Sequence, residues 1–535
     1  MGGLISQFLT PMVSRDLGAG KKSNSVFIKI LAMVVSINLF SFTFFGLLGH
    51  ITVPLLWGEA ARGITHYLPF YAFGMVCYSL SSLIITYRQI RGNYAFPIVG
   101  FALGLLQVIG MVLWHENIAQ LTLVVTISGF ISLVVITLMH LFYAPLVIIG
   151  HNLLDLFGIF GALPERPPLE RGKIRILIFN WRDLKHKWAG GAEVYIHELA
   201  KRWVQDGHAV TLFCGNDGNS PRHAKVDGVT IIRRGGFFMV YFWAFLYYRV
   251  RLRGRYDVII DSENGLPFFT PLYAREKIFL LIHHVHQEVF RKSLVPPFSW
   301  LAQFLEKRFM PLAYRKTEVI TVSPSSKAEI IAHHLTKRDP HVVYNGVNLD
   351  VCVPGVKSKL PSILYLGRLT SAKSVGILIK AVKQITLEIP NLQVTIAGDG
   401  PTRVSLQKLT KALGLENNIS FTGKVSESEK IKLYQSAWVF VNPSLIEGWG
   451  ITTIEANACG TPVVASDVAG LRDAIYNQHS GILVPYGNVS KFAITIAQLL
   501  IDTKKRKQMS QQSISWAKKF NWEQSAKLAL SILIK

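Results

Sequence analysis

Two glutamates, Glu447 and Glu455, stand eight positions apart in the stretch SLIEGWGITTIEANACGTPVVAS, which runs from Ser444 to Ser466. Gly448 and Gly450 follow the first of them and leave the backbone bare beside it. A helix starting near Ile451 would point its free N–H groups back at the loop that holds Glu447. Such a terminus binds phosphate through its donors and its dipole. Glu455 would fall in the first turns of that helix, which NACGTP closes at a glycine. One carboxylate can then face the hydroxyls of a sugar, and the other can accept hydrogen bonds from hydroxyls on a nucleoside side, while the backbone between them holds phosphates. Spacing by itself is equally compatible with a helix-dipole carboxylate at 455 and a solvated loop carboxylate at 447.

A loop of this kind needs a strand to carry it, and WVFVNPS, ending at Ser444, reads as that strand. The strands and helices around it alternate. KIRILIF (Lys173 to Phe179) is a buried strand, GGAEVYIHELAKRWVQDGH has helical spacing, and AVTLFCG is a strand again. The alternation continues through YDVIID, KIFLLIHH and EVITVSP. After VVYNGVN (Val342 to Asn348) it restarts with SILYLGRL, the helical SVGILIKAVKQI and the strand LQVTIAGDG. Such alternation implies parallel sheets with right-handed crossovers. Two doubly wound units facing each other would put the carboxyl ends of their strands across a common cleft, where ligands of these sheets bind.

The first 150 residues are of another kind. Hydrophobic residues make up 50% of the 535-residue chain and charged residues 17%, a skew that points to membrane segments. Four apolar stretches, Val26 to Leu48, Ile64 to Tyr87, Tyr94 to Trp114 and Asn117 to Ile149, are each long enough to cross about 30 Å of hydrocarbon. Positive clusters (Arg15, Lys21 and Lys22; Arg88 and Arg91; Arg166, Arg171 and Lys173) precede the first stretch, separate the second from the third and follow the fourth. They predict a cytoplasmic N-terminus and a cytoplasmic soluble half. GALPERPPLERG, from Gly161 to Gly172, is a proline-rich linker. The net charge of +24 suits a phosphate-bearing ligand or an anionic membrane face. No RNP-like motif, zinc spacing or recognition-helix signature accompanies it, so nucleic acid is not an expected partner. Cys77, Cys214, Cys352 and Cys459 form no CxxC pair and fit a reducing compartment. The aromatic run from Arg233 to Asp257, with flanking arginines, suits a membrane interface or a lipid acceptor and equally an ordinary core helix with a basic end.

From Lys173 onward the chain resembles the retaining glycosyltransferases of family four, the group-one glycosyl transferases of the GT-B fold. The resemblance rests on motifs in the expected order: GGAE at Gly190, LIHHVH at Leu281, VSPSSK at Val322, YNGVN at Tyr344, LGRLTSAK at Leu366, AGDGP at Ala397 and the two-glutamate stretch. It implies that Arg368 and Lys373 grip the diphosphate of a nucleotide-sugar donor. It implies that Glu447 lies beside the donor sugar and that Glu455 binds the ribose hydroxyls. Gly190 and Gly191 match the glycine loop that closes over the phosphates, and Gly448, Gly450 and Ile451 belong to the donor site. His283 matches a histidine near the reacting sugar, with His284 and His286 beside it as other candidates. No carboxylate at ligand spacing accompanies these three, which disfavours a metal site. The resemblance implies no cofactor and no divalent metal, the donor being UDP- or GDP-linked. The sequence departs from the family at Ser374, where glycine usually follows the lysine.

The N-terminal stretches LTPMVSRDLGAGKKSN, ITVPLLWGEAARG and LSSLIITYRQIRGNYAFP are similar to the later helices of the MOP superfamily of polysaccharide exporters and flippases. An anchor is the preferred reading of so short a piece. The expected architecture is an α-helical membrane segment over 1–150, a linker over 151–172, two facing Rossmann-like domains over 173–345 (acceptor side) and 346–520 (donor side), and a C-terminal helix over 521–535. The expected activity is a retaining, membrane-bound glycosyltransferase of the inner membrane, acting on a lipid-linked glycan in surface polysaccharide assembly. A flippase fragment with an accessory domain and a GT-B epimerase are the alternatives.

Overall fold

The structure, a computed structural model, describes residues 10–15, 24–161, 169–236, 239–293 and 295–535. Lys21, Lys22, Arg166, residues 162–168 of the proline-rich linker and the pair Phe237 and Phe238 of the aromatic run lie outside the described residues. The chain divides into two compact units, residues 1–153 and 154–535.

In the first unit, four helices are long and apolar enough to cross a membrane: Phe27–Leu47, Leu68–Ile90, Ala95–Leu113 and Ile118–Leu141. The second and fourth approach closely at two glycines. A Cβ on Gly129 would lie 2.6 Å from the Gly74 carbonyl oxygen, and one on Gly74 would lie 2.9 Å from that of Val125. Helices in hydrocarbon gain little from burying apolar surface and associate through such close backbone packing and through hydrogen bonds. Asn38 Nδ2 donates to Ser79 Oγ at 3.0 Å and the Tyr78 hydroxyl to Ser128 Oγ at 2.8 Å. The fourth apolar stretch does not run to Ile149. It ends at Leu141 and a separate helix, Tyr143–Gly158, follows. Pro145 has no N–H to bond the carbonyl of Leu141, so an unbroken helix would lose that bond.

The second unit holds two sheets. The first runs in the order β3-β4-β2-β1-β5-β6-β7-β8, with β1 Arg175–Phe179, β2 Ala209–Cys214, β3 His223–Val226, β4 Val229–Arg233, β5 Val258–Glu263, β6 Lys277–Ile282, β7 Glu318–Thr321 and β8 His341–Val342. Every pairing is parallel except β3 with β4. The second runs β11-β10-β9-β12-β13-β14, with β9 Ser362–Leu366, β10 Gln393–Ala397, β11 Ile419–Gly423, β12 Val439–Asn442, β13 Val463–Ser466 and β14 Gly481–Val484, all parallel. Both are covered on two faces, so their central strands are buried throughout.

The helix Gly191–Gln205 turns Tyr195, Ile196, Leu199 and Trp203 into the core at helical spacing. The helix Trp522–Ile534 comes back across from the second domain to cover it. Trp203 Nε1 donates to the Ala526 carbonyl at 2.9 Å, and Tyr195 meets the Trp522 ring edge-on. The aromatic run after β4 is partly core and partly surface. Val240, Trp243, Ala244 and Tyr247 of the helix Met239–Tyr247 are buried, whereas Phe242 and Phe245 are exposed. Its first arginines do not face a membrane interface. Arg233 and Arg234 are buried, Arg233 Nη2 lies 2.5 Å from Asp183 Oδ2, and Arg234 donates to the backbone and lies against His223 and Tyr247.

Candidate active site

The loop after β12 is held from within. Ser444 Oγ lies 2.6 Å from Asn442 Oδ1 and 3.0 Å from Glu447 Oε1. Glu447 forms an ion pair with Lys373 Nζ, which the turn Ser371–Lys373 brings in after β9. The Leu445 N–H donates to the Ala372 carbonyl at 2.8 Å and ties that turn to the loop. Gly450, with φ +92°, begins the helix Ile451–Ala458 in a conformation that favours glycine. Glu455 sits in the second turn, where Lys430 Nζ at 2.9 Å and the Tyr434 hydroxyl at 2.9 Å donate to its two oxygens. Ser374 takes the left-handed conformation, φ +50°, and its hydroxyl lies 3.0 Å from that of Tyr486. That conformation is the physical reason a glycine would suit the position.

The first domain meets this loop directly. A Cβ on Gly448 would lie 2.7 Å from the His283 carbonyl oxygen and 3.7 Å from His284 Nδ1. The loop before the helix Gly191–Gln205 touches the second domain from the other side. Arg368 Nη1 donates to the Trp188 carbonyl at 3.4 Å, and Arg368 Nη2 lies 3.2 Å from where a Cβ of Gly190 would be. Gly191 stands against Ile451. Buried Glu193 organises this loop. It accepts from the Gly190 N–H at 2.6 Å, from Arg182 Nε at 3.0 Å and from Asn264 Nδ2 at 3.2 Å. Burial and then the neighbouring Arg182 charge hold the Arg368 guanidinium below its ordinary pKa. Two guanidinium groups and an ammonium at facing edges of the two sheets form a site suited to a multiply charged anion.

The three histidines differ. His283 is buried edge-on to Tyr195, and its Nε2 has no hydrogen-bond partner. Burial, then the His286 charge, pulls its pKa down to about 3, so it is neutral near pH 7. Burial first, and then the neighbouring His286, His283 and Lys373, hold His284 well below the ordinary range. His286 has the carboxylates that its sequence neighbours lack. Its Nδ1 lies 3.0 Å from Glu263 Oε1 and 3.8 Å from Glu306 Oε1. Burial opposes its protonation, but Glu263 outweighs burial and its pKa is raised. Burial, then the Glu263 charge, pushes Glu306 up to about 7. No carboxylate stands at ligand spacing from the histidines in the sequence, but tertiary packing brings two against His286. Glu263, His286 and Glu306 bring one potential ligand atom each to within 4.8 Å of one another. They come from β5, the loop after β6 and the helical segment Leu305–Phe309, so no spacing in the sequence links them. A carboxylate at the carboxyl end of β5 was the available signal. Arg182, Glu193, Lys430 and Tyr434 were likewise not singled out as partners of the site.

A family model described as glycosyl transferases group 1 matches residues 353–516, and one described as glycosyltransferase family 4 matches residues 189–351. An uncharacterized glycosyltransferase of Methanocaldococcus jannaschii is 35% identical over 387 residues, covering 67% of this chain and 97% of that protein. A D-inositol 3-phosphate glycosyltransferase of Mycobacteroides abscessus is 31% identical over 382 residues, covering 64% of this chain and 84% of its own length. Among solved structures, sucrose-phosphate synthase from Thermosynechococcus elongatus has a TM-score of 0.60 at 22% identity, covering 67% of this chain and 98% of its own. Anabaena HepE in complex with UDP and glucose has a TM-score of 0.54 at 19% identity, covering 67% and 99%. At these identities the two structures share the fold.

Proposed function

The chain belongs to the group 1 glycosyl transferases, and on that premise we propose that it is a membrane-bound, retaining enzyme that moves a sugar from a UDP- or GDP-linked donor to a lipid-linked glycan or glycolipid in surface polysaccharide assembly. The observation that carries this reading is the meeting of Arg368, Lys373, Glu447 and the Gly190 loop at facing sheet edges, on a chain with four helices able to cross a membrane. Breaking the bond between the sugar and the diphosphate leaves negative charge on the leaving group. Arg368, Lys373 and the helix N-terminus at Ile451 supply positive charge for it, without a metal. Glu447 serves the donor sugar and Glu455 the ribose hydroxyls, with Gly190, Gly191, Gly448 and Gly450 as bare backbone around the phosphates. His283 contributes a neutral imidazole beside the reacting sugar.

The test uses the purified full chain in detergent, with a panel of UDP- and GDP-linked sugars, a membrane lipid extract as acceptor and EDTA throughout. Expected is donor consumption with an α-linked product from an α-linked donor. An inverted anomer would overturn retention. Isomerised nucleotide sugar without transfer would replace the reading by an epimerase. Activity that appears only after magnesium or manganese is added would overturn the metal-free reading.

A further inference from the structure

The segment 295–312 of the first domain is apolar on its outside. Val295, Phe298, Trp300, Leu301, Phe304 and Leu312 are each more than half exposed. An exposed apolar patch of this density marks an interaction surface. Its charges have one sign. Lys307, Arg308, Arg315 and Lys316 are exposed, and the only carboxylate between 291 and 316 is Glu306, which is buried and turned inward to accept from the His286 N–H at 2.6 Å.

This face is continuous with the helix Met239–Tyr247. Phe309 meets the Phe269 ring at 5.1 Å, and in the same segment Tyr273 meets Phe245 at 5.3 Å. Phe242 and Phe245 are exposed there, followed by the exposed Arg249 and Arg253. Aromatic and aliphatic side chains within a basic rim, with no exposed acid in 291–316, are the composition of a helix lying in a membrane interface. A protein partner with an acidic rim would meet the same charges. The breadth of the apolar centre and the aromatic rings favour a bilayer, where Trp and Phe enter the headgroup boundary.

We propose that residues 295–312 and the helix Met239–Tyr247 form a docking surface for an anionic lipid bilayer. Glu306 accepts from the His286 N–H, so this surface backs onto the loop that carries His283 and His284. The inference rests on the membrane-bound reading above and adds a second point of attachment, made by the catalytic unit itself.

The four described cysteines are buried, so a cysteine introduced on the surface can be labelled selectively. Trp300→Cys and Phe304→Cys, in the full chain, each carry an environment-sensitive fluorophore. Leu387→Cys, at a position 79% exposed in the second domain, is the control. The chains are reconstituted in vesicles of phosphatidylcholine with or without phosphatidylglycerol, and brominated lipid serves as quencher. Expected are a blue shift and quenching at 300 and 304, stronger with phosphatidylglycerol, and neither at 387. Probes at 300 and 304 that stay as water-exposed as the one at 387 would overturn the inference. So would their cross-linking to the helices of residues 24–141 without quenching. Donor consumption is measured on the same samples. Quenching without donor consumption keeps the docking surface and sinks the enzymatic reading, and consumption without quenching does the reverse.

Discussion

Lys373 pairs with Glu447, whereas Arg368 leans on the Trp188–Gly190 loop of the opposite domain. In the proposed diphosphate grip the two cations would therefore contribute differently. Lys373→Ala removes a charge and frees Glu447. Arg368→Ala removes a charge and a contact between the domains. Each should lower donor kcat/KM by about 10²–10³-fold while the unfolding transition stays cooperative. Kinetics like those of the parent in both would refute the diphosphate grip. Glu447→Gln should lower kcat more than it raises donor KM, and Glu455→Gln, which loses its charge beside Lys430, should act mainly on KM. Steady-state kinetics with the preferred donor separate the two. Glu306 makes a prediction about stability. A carboxyl ordinarily near 4.5 is pushed up to about 7, so between those values the folded chain holds a proton that the unfolded chain has released. Stability from this group therefore falls as pH rises through that window. Glu306→Gln removes the decline, so its Tm relative to the parent should improve from pH 5 to pH 7.5. A constant offset would count against the buried proton.

Helices and strands became legible where burial imposes a pattern. β1 and β5 read directly because a strand covered on both faces carries a continuous apolar run, ILIF (176–179) and VII (258–260). β3 did not, because His223–Val226 alternates exposed and half-buried positions at an antiparallel edge. The helix at Ile451 and the glycine that begins it, Gly450, were readable from turn chemistry. The partners of Glu193 and the set Glu263, His286 and Glu306 were not, since tertiary packing alone joins them. Hydropathy continues past the break at Phe142, and Pro145 is the local mark of it. In the first unit the contact between Gly74 and Gly129 permits a test of helix packing. Gly129→Val would force a side chain into the Gly74 backbone and should cost about 1–3 kcal/mol. Gly104→Val, where a Cβ meets nothing within 4 Å, should cost little. Thermal unfolding of both in detergent checks this, and equal losses would argue against the close crossing.

At the scale of the whole molecule, charge and helix count together predict topology. Arg15 precedes the first apolar helix, Arg88 and Arg91 follow the second, and Arg171 and Lys173 follow the fourth. Both flanks of the four helices should therefore face the cytoplasm. A cysteine introduced at Glu170 should resist a membrane-impermeant reagent in intact cells and react after lysis; labelling in intact cells would reverse the orientation. The helix Trp522–Ile534 carries a consequence of another kind. The Trp522 backbone nitrogen sits 2.3 Å from where a Cβ on Gly346 would be, and Ala526 receives the Trp203 indole. The first domain is thus finished by residues translated after the whole of the second. On the ribosome it waits with Trp203 and Tyr195 uncovered while the second domain emerges, so an early stop codon near residue 520 would damage the domain that was begun first.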